Sequence, residues 1–324
     1  MIGFPGIGLE FQRNPAIFRI TDNFALTWYG LILASGFLLA VLYCLRQAKH
    51  FGLKQDEILD MLFCATPAGI IGARLYYVAF NWTAEFRDDP IRVLFTWQGG
   101  MAIYGSIIGA VIAAALFCWV RHINIGAMLD IGAIGLLIGQ AVGRWGNFVN
   151  GEVYGKETAV PWRMRVYNME VHPLFLYESL WNILGLVLLR LIMKKRKYNG
   201  QLFTLYIAWY GLGRGLLEGM RDSAFNLMLG KWMISQVLAY ASFLLALALL
   251  FYMTLFKKHP PLLAWTAGRD EYEAYRKARK AGAADDGGTP GDGSGENETE
   301  LPDEEGGGDG NADGRESAGE DDPE

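Results

Sequence analysis

Apolar residues are concentrated in seven stretches of the 324-residue chain, which short polar or charged segments separate. A helix needs about 20 mainly apolar residues to span the hydrocarbon core of a bilayer. The stretches lie near residues 25–45, 58–80, 100–120, 127–143, 173–193, 202–219 and 233–256. This pattern predicts an all-α, polytopic membrane protein with about seven transmembrane helices. Because no small-residue cleavage site precedes the first stretch, we interpret it as a retained span.

Basic residues in the connecting segments indicate how the helices are oriented. One set of connections is richer in lysine and arginine near the helix ends, and its densest cluster is KKRK at 194–197. Because basic loops tend to stay on the cytoplasmic side, we expect the N-terminus outside and the C-terminus inside. The segments 144–171 and 220–231 then lie at the outer face.

Charge divides the chain into a basic body and an acidic tail. From residue 281 onward there are 16 acidic residues and one basic residue, Arg315. The chain totals are 34 acidic and 29 basic residues, so residues 1–280 carry 18 and 28 of them, a net charge of +10. A basic, apolar body suits a bilayer with anionic headgroups, and the apolar stretches argue against a nucleic-acid partner.

Three regions follow from this distribution. We assign residues 1–259 to a transmembrane domain and residues 260–280 to a basic juxtamembrane segment. That segment is as compatible with a helix on the inner leaflet as with a plain solvated helix. Residues 281–324 are rich in Gly, Asp and Glu and have almost nothing to bury, which predicts a disordered tail.

Neither cysteine nor histidine forms a pattern typical of a metal or redox site. Cys44, Cys64 and Cys118 lie inside apolar stretches without a Cys-x-x-Cys motif, and the four histidines form no zinc-binding motif. We therefore expect no metal and no cofactor.

Charged residues inside predicted spans are candidates for function, because lipid disfavours them unless they are paired or face a cavity. The segment YGLGRGLLEGMRD, residues 210–222, places Tyr210, Arg214 and Glu218 four residues apart, hence on one helix face. The flanking glycines allow a ligand or another helix to come close. The alternative is an arginine–glutamate pair that joins two helices.

A second group of candidates begins at the end of the fourth span, in GRWGNFVNGEVYG, residues 143–155. Its polar side chains and last glycine are Arg144, Asn147, Asn150, Glu152 and Gly155. An arginine offers a planar fork to a phosphate, and a glycine-rich turn exposes backbone N–H groups to an anion. An arginine that caps helix carbonyls, followed by an ordinary glycine-rich loop, is an equally good interpretation.

The remaining candidates are scattered near predicted span ends. They are Tyr29, Arg74, Gly99, Gly100, Tyr104, His172 and Glu178. Aromatic residues at span ends are usually interfacial anchors. That interpretation fits less well for Tyr104 and Glu178, which lie a turn inside their predicted helices.

Arg144 and Arg214, on different predicted helices, are expected to meet near the outer face. Two arginines with asparagine, tyrosine and glutamate partners favour a phosphate site open to the bilayer over a structural pair. From the residues alone, an enzyme and a transporter of an anionic lipid or metabolite are about equally supported. A structural scaffold with self-neutralised pairs is the third hypothesis, and it predicts tolerance of arginine-to-lysine changes.

At these residues the chain resembles the bacterial phosphatidylglycerol–prolipoprotein diacylglyceryl transferases. The stretch GRWGNFVNGEVYG is similar to the family signature, in which GR-x-GNF-x-N is followed by Glu and Gly. Further segments agree in order, namely WYG (28–30), GARLYYV (72–78), QGGMAIYG (98–105), HPLFLYES (172–179) and YGLGRGLLEGMRD (210–222). The resemblance covers essentially all of residues 10–256 and leaves out the acidic tail.

This resemblance implies an activity and its partners. The activity is transfer of the diacylglyceryl group of phosphatidylglycerol to the lipobox cysteine thiol of a prolipoprotein, which gives a thioether and glycerol 1-phosphate. The partners implied are phosphatidylglycerol, prolipoprotein signal peptides and the lipid bilayer. The location implied is the bacterial cell membrane, with the active site near the outer leaflet.

The resemblance also implies residue roles. Arg144 and Arg214 match the essential arginines of the family. Other functional positions are matched by Tyr29, Asn147, Glu152, Gly155, Tyr210 and Glu218. Tyr104 stands where many members carry a histidine proposed as a base, and a tyrosine with an ordinary pKa near 10 is a poor base at neutral pH.

From the residues and the resemblance together we assign two sets. The catalytic set is Arg144, Arg214, Tyr104, Asn147 and Glu152. The substrate-binding set is Tyr29, Arg74, Gly99, Gly100, Asn150, Gly155, Tyr210, Glu218, His172 and Glu178.

Overall fold

A computed structural model describes residues 2–11, 16–21, 24–82, 86–87, 89–96, 99–222, 228–229 and 232–257. All of them belong to one compact unit, Met1–Lys277. The basic juxtamembrane segment 260–280 and the acidic tail 281–324 lie outside the described residues, so both assignments stay predictions.

Among the described residues, seven long helices occupy the apolar stretches. They are α1 (Trp28–Gln47), α2 (Gln55–Asn81), α3 (Ile103–Val120), α4 (Ile125–Asn150), α5 (Leu174–Met193), α6 (Gln201–Glu218) and α7 (Ile234–Leu255). Six of them, all except α6, are long and apolar enough to cross a membrane. The prediction of a mainly helical, polytopic membrane protein is confirmed at this level.

Short strands, which hydropathy did not predict, form three small antiparallel sheets in the described part of the chain. They are β1 (Ile2–Phe4), β2 (Leu9–Phe11), β3 (Ala16–Thr21), β4 (Phe24–Thr27), β5 (Met164–Val166), β6 (Met169–Val171), β7 (Met228–Leu229) and β8 (Trp232–Met233). The largest sheet has the order β2-β1-β5-β6, and Ile2 pairs with both Phe11 and Val166. Strands of two or three residues are too short for alternation of apolar and polar side chains to reveal them.

The helices pack around α4, the most buried of the six candidate spans. It contacts α1, α5 and α6, while α2 pairs with α3 and α6 with α7. One core surrounds the N-terminal half of α4 and includes Phe51, Ile131, Leu137, Leu189 and Leu202. A second, smaller core lies under the four-stranded sheet and includes Ile2, Val166 and Phe175. Large apolar side chains on the outer helix faces are exposed, as lipid contact requires.

A buried carboxylate fixes the start of α6 against α4. Asp130 of α4 is fully buried, and its two oxygens accept hydrogen bonds from the backbone N–H groups of Gly200 and Phe203, each at 2.9 Å. These N–H groups belong to the first turn of a helix and have no partner within it. Asp130 therefore acts as a helix cap supplied by a neighbouring helix.

Two tryptophans lock α5 to α6. Trp181 and Trp209 stack with ring centroids 4.3 Å apart. Trp181 Nε1 donates to the carbonyl of Trp209 at 3.1 Å, and Trp209 Nε1 donates to the carbonyl of Trp181 at 3.0 Å. Each indole crosses a glycine of the other helix, because a Cβ would lie 2.1 Å from Trp181 Nε1 at Gly213 and 2.4 Å from Trp209 Nε1 at Gly185.

The close contact of Trp209 with Gly185 predicts that adding one methyl group at Gly185 lowers the stability of the protein. We expect Gly185→Ala to destabilise the protein by about 1–3 kcal/mol, because the added Cβ overpacks the indole of Trp209. Gly132→Ala in α4 is the matched control, since a Cβ there meets nothing within 4 Å. Thermal unfolding in detergent micelles measures both. Equal midpoints for the two variants would contradict the lock.

Candidate functional site

The three central helices bring two arginines and two glutamates together at one end. Arg144 lies near the C-terminal end of α4, Glu178 near the start of α5, and Arg214 and Glu218 near the end of α6. Arg144 Nε lies 2.7 Å from Glu178 Oε2, and Arg214 Nη1 lies 3.5 Å from Glu178 Oε1. Arg214 Nη2 lies 3.0 Å from Glu218 Oε2. The two arginines therefore converge, with one carboxylate between them.

These four side chains form a charged array, which continues to a third arginine and to α7. Arg221 Nη1 lies 3.6 Å from Glu218 Oε2, and the hydroxyl of Ser235 donates to Glu218 Oε1 at 2.6 Å. Burial lowers the pKa of Arg221 from its ordinary value, and Arg214 acts in the same direction while Glu218 opposes it. Arg221 lies in the candidate segment 210–222 but was assigned to neither set, and Ser235 was not a sequence candidate. A serine near a span end carries no signal that distinguishes it from others.

Asn147 connects the array to Glu152. Arg144 Nη1 donates to Asn147 Oδ1 at 3.4 Å, and Asn147 Nδ2 donates to Glu152 Oε1 at 3.1 Å. Asn150 Nδ2 donates to the same carboxylate oxygen at 3.4 Å. Because an amide both donates and accepts, Asn147 can link a cation to a carboxylate and hold both in place.

Tyr29 reaches this group across a glycine. A Cβ on Gly146 would lie 2.7 Å from Tyr29 Cδ2, so the ring of Tyr29 packs directly on the backbone of α4. Gly146 directly precedes Asn147 in the chain, so this ring lies beside the charged side chains. The start of α1 therefore belongs to the site.

Gly155 and His172 serve as a junction between loops. The N–H of Gly155 donates to the carbonyl of His172 at 3.0 Å, and Gly155 forms a β-bridge with Arg221. A Cβ at Gly155 would lie 2.6 Å from His172 Cβ and 3.0 Å from the carbonyl oxygen of Met220. The junction thus ties the segment after α4 to the segment after α6. The side chain of His172 points to Tyr177, with Nδ1 3.3 Å from the hydroxyl oxygen.

A small cavity opens beside the charged side chains. It is lined by Gln140, Arg144, Glu178, Trp181, Asn182, Tyr210, Gly213, Arg214 and Leu217. Tyr210 lies one turn before Arg214, as its spacing predicted, and its ring stacks on Tyr206 at 6.0 Å. Gln140 and Asn182 were not among the sequence candidates, because a single amide in an apolar stretch is compatible with a buried structural hydrogen bond.

Arg74, Gly99 and Gly100 meet in one set of backbone hydrogen bonds, and their substrate-binding role stays a prediction. Arg74 is only 7% exposed and donates to five backbone carbonyls at 2.6–3.4 Å. The acceptors are Arg92, Val93, Phe95, Gly99 and Gly100. A guanidinium has five N–H groups, the same number as these acceptors. Arg74 fixes the connection between α2 and α3.

Tyr104 also stands apart from the charged side chains. It lies at the start of α3, is 64% exposed, and its ring centroid is 6.5 Å from that of Tyr76 in α2. α3 packs mainly on α2, whereas the charged side chains come from α4, α5 and α6. The structure therefore does not bring Tyr104 together with the other four catalytic candidates.

The charges alternate in sign along the array. Three arginines (144, 214 and 221) and two glutamates (178 and 218) leave a net charge of +1, which Glu152 balances through Asn147. An anionic ligand must therefore compete with Glu178 for the two guanidinium groups. A phosphate can do so, because it offers the same bidentate oxygen geometry as a carboxylate. Among the described residues, no cluster of three His, Cys, Asp or Glu side chains could hold a metal ion.

Comparison with known proteins decides the family. The family model described as prolipoprotein diacylglyceryl transferase matches residues 15–252. The chain belongs to this family. Three relatives named phosphatidylglycerol–prolipoprotein diacylglyceryl transferase are each 40% identical to it. The relative from Clostridioides difficile aligns over 65% of this chain and 84% of its own length. Those from Limosilactobacillus reuteri and Enterococcus faecalis align over 75% and 74% of this chain and 92% and 90% of theirs.

Membership of the prolipoprotein diacylglyceryl transferase family makes this chain a transferase, as the sequence resemblance implied. The family match and the six apolar helices together indicate a multi-pass membrane enzyme. The matched region contains every residue of the charged array.

The bridging position of Glu178 predicts a large loss of stability when it is removed. We expect Glu178→Ala to cost about 3–5 kcal/mol, because it leaves two partly buried arginines without their shared carboxylate. Asp60→Ala is the matched control, since Asp60 forms an exposed pair with Arg121 worth about 1 kcal/mol or less. Chemical or thermal unfolding in micelles measures both. A small, equal cost for the two variants would show that Glu178 is not essential to the array.

Proposed function

We propose that this chain transfers the diacylglyceryl group of phosphatidylglycerol to the lipobox cysteine thiol of prolipoproteins, the first step of bacterial lipoprotein maturation. The observation that carries the proposal is the pair Arg144 and Arg214, which converge on one carboxylate at the end of the helices. The names of the 40%-identical relatives supply the substrates.

The reaction is a displacement at the glycerol carbon that bears the phosphate ester. The cysteine sulfur attacks this carbon and forms a thioether, the carbon–oxygen bond to phosphate breaks, and glycerol 1-phosphate leaves. The thiol proton must go to a base or to a phosphate oxygen. A free cysteine has a pKa near 8.5, so its thiol is mostly protonated at neutral pH. The positive charge of the arginines favours the thiolate.

Arg144 and Arg214 stabilise the charge that grows on the leaving phosphate. Glu178 holds both guanidinium groups in place, so their orientation needs little change when phosphate replaces one carboxylate contact. Asn147 adds a neutral donor, and it is itself oriented by Glu152. Glu218 and Ser235 keep Arg214 turned toward the site.

The proposed topology has seven spans, because α6 also spans the membrane in addition to the six more apolar helices. The N-terminus is outside and the C-terminus inside. The positive-inside distribution of the loop charges supports it. α6 has the length of a span, and its charged residues have partners on α5 and α7, which lowers the cost of placing them in a bilayer. The array then lies near the outer leaflet of the cell membrane, where a lateral opening would admit both lipid-borne substrates.

Loss of either arginine should remove the activity. We expect Arg144→Ala and Arg214→Ala each to lower turnover by at least about 100- to 1000-fold, the usual effect of removing one donor to a developing anion. Arg190→Ala is the matched control, because Arg190 lies at the other end of α5 and donates to Gln47. The assay follows label from phosphatidylglycerol to a lipobox peptide with purified protein.

Three outcomes of that assay would contradict the proposal. Turnover like wild type in both variants would exclude the phosphate role of the arginines. No label on the peptide with wild-type protein would favour a lipid transporter. Full activity of Arg144→Lys and Arg214→Lys would exclude bidentate binding of the phosphate, since lysine keeps the charge but not the bidentate fork.

Tyr104→Phe tests whether the tyrosine hydroxyl takes part in the reaction. We expect activity within about twofold of wild type, because the exposed Tyr104 contacts Tyr76 of α2 and lies apart from the arginine pair. A loss larger than about tenfold would return Tyr104 to the catalytic set, as ten times slower turnover corresponds to about 1.4 kcal/mol.

A further inference from the structure

A second layer of polar side chains lies one helical turn from the charged layer that Arg144, Glu178 and Arg214 form. Gln140 precedes Arg144 by four residues on α4, and Tyr210 precedes Arg214 by four residues on α6. Asn182 follows Glu178 by four residues on α5, which runs in the opposite direction. All three therefore shift the same way, about 6 Å along the helices and away from the loop that joins α4 to α5.

The three side chains of this second layer line the same cavity as the arginines. Each comes from a different helix, so the layer repeats the arrangement of the charged side chains above it. It differs in chemistry, because two amides and a phenol carry no charge at neutral pH.

Two polar groups of the second layer lack a partner among the described residues. Asn182 is 93% buried, given its 7% exposure, and its amide forms no hydrogen bond there, although it borders the cavity. Gln140 Oε1 is buried without a donor, while Gln140 Nε2 donates to the hydroxyl of Tyr206 at 2.8 Å. A buried amide without a partner is disfavoured, so unpaired amides that face a cavity indicate a ligand group.

The chemistry of the layer selects the ligand group. The guanidinium groups of the charged layer bind a phosphate better than these amides do. A hydrocarbon chain would leave the Asn182 amide and Gln140 Oε1 without a hydrogen-bond partner. A glycerophospholipid presents two neutral acceptors just inward of its phosphate, the carbonyl oxygens of its acyl esters. The two N–H groups of the Asn182 amide can donate to such acceptors.

We propose that Asn182, which lines the cavity together with Gln140 and Tyr210, binds an ester carbonyl of the lipid donor. The site therefore recognises ester-linked diacyl lipids, in which phosphate and ester are held one helical turn apart. This inference rests on the proposed transferase function, and it adds selection of the acyl linkage to recognition of the phosphate.

The test compares ester-linked with ether-linked phosphatidylglycerol as donor, since an ether lacks the carbonyl. We expect wild-type protein to show a kcat/KM about tenfold higher for the ester lipid, as the loss of a well-placed hydrogen bond predicts. In Asn182→Leu the kcat/KM for the ester lipid should fall about tenfold and the ratio of the two lipids should fall below about twofold.

Asn81→Leu in α2 is the matched control, because Asn81 Nδ2 donates to the carbonyl of Tyr77 in its own helix. This variant should keep the tenfold ratio of the wild type. The ratio cancels any general loss of folded protein, since both lipids are assayed with the same preparation.

Two results would overturn this inference alone, while thioether product still forms. One is a wild-type ratio near one, a measurement that does not depend on any variant folding. The other is a tenfold ratio that persists in Asn182→Leu, which would mean that a group other than Asn182 recognises the ester. If wild-type protein forms no thioether product from the ester lipid, the proposed transferase function itself fails.

Discussion

The arrangement of α4, α5 and α6 depends on one carboxylate, Glu178, held between Arg144 and Arg214. Its side chain is only 10% exposed, so the pair interactions act where water screens them weakly. Removing charges from water is costly, and the cost is tolerated here because each charge has an opposite neighbour. The same contacts join the ends of three helices, so the stability of the bundle and the geometry of the site have a common origin.

Alternating charge also explains how the site can be both stable and receptive. Two neighbouring arginines without a carboxylate between them would repel each other. Two arginines whose charges were fully neutralised by several carboxylates would have no affinity for an anion. Glu178 is shared, Glu218 is held by Ser235, and Arg221 adds a further positive charge, so one contact can be exchanged without dismantling the rest. A ligand phosphate then replaces a protein carboxylate at little cost in reorganisation.

The sequence predicts the helices and the two arginines well, because each depends on local information. Span length, apolar composition and the i, i+4 spacing of Tyr210, Arg214 and Glu218 are visible in short windows. What it cannot supply depends on contacts between distant segments. The five acceptors of Arg74 lie in a connection some 20 residues away. The short strands, Ser235 and the unpaired amide of Asn182 likewise acquire their meaning only from neighbours in space.

The reciprocal stacking of Trp181 and Trp209 has a consequence for motion. Each indole bonds to the backbone beside the other ring, so a rotation of either helix about its own axis breaks both bonds at once. We therefore expect α5 and α6 to move together, with Glu178 facing Arg214. Entry of a lipid between α5 and α6 would have to break both of these bonds.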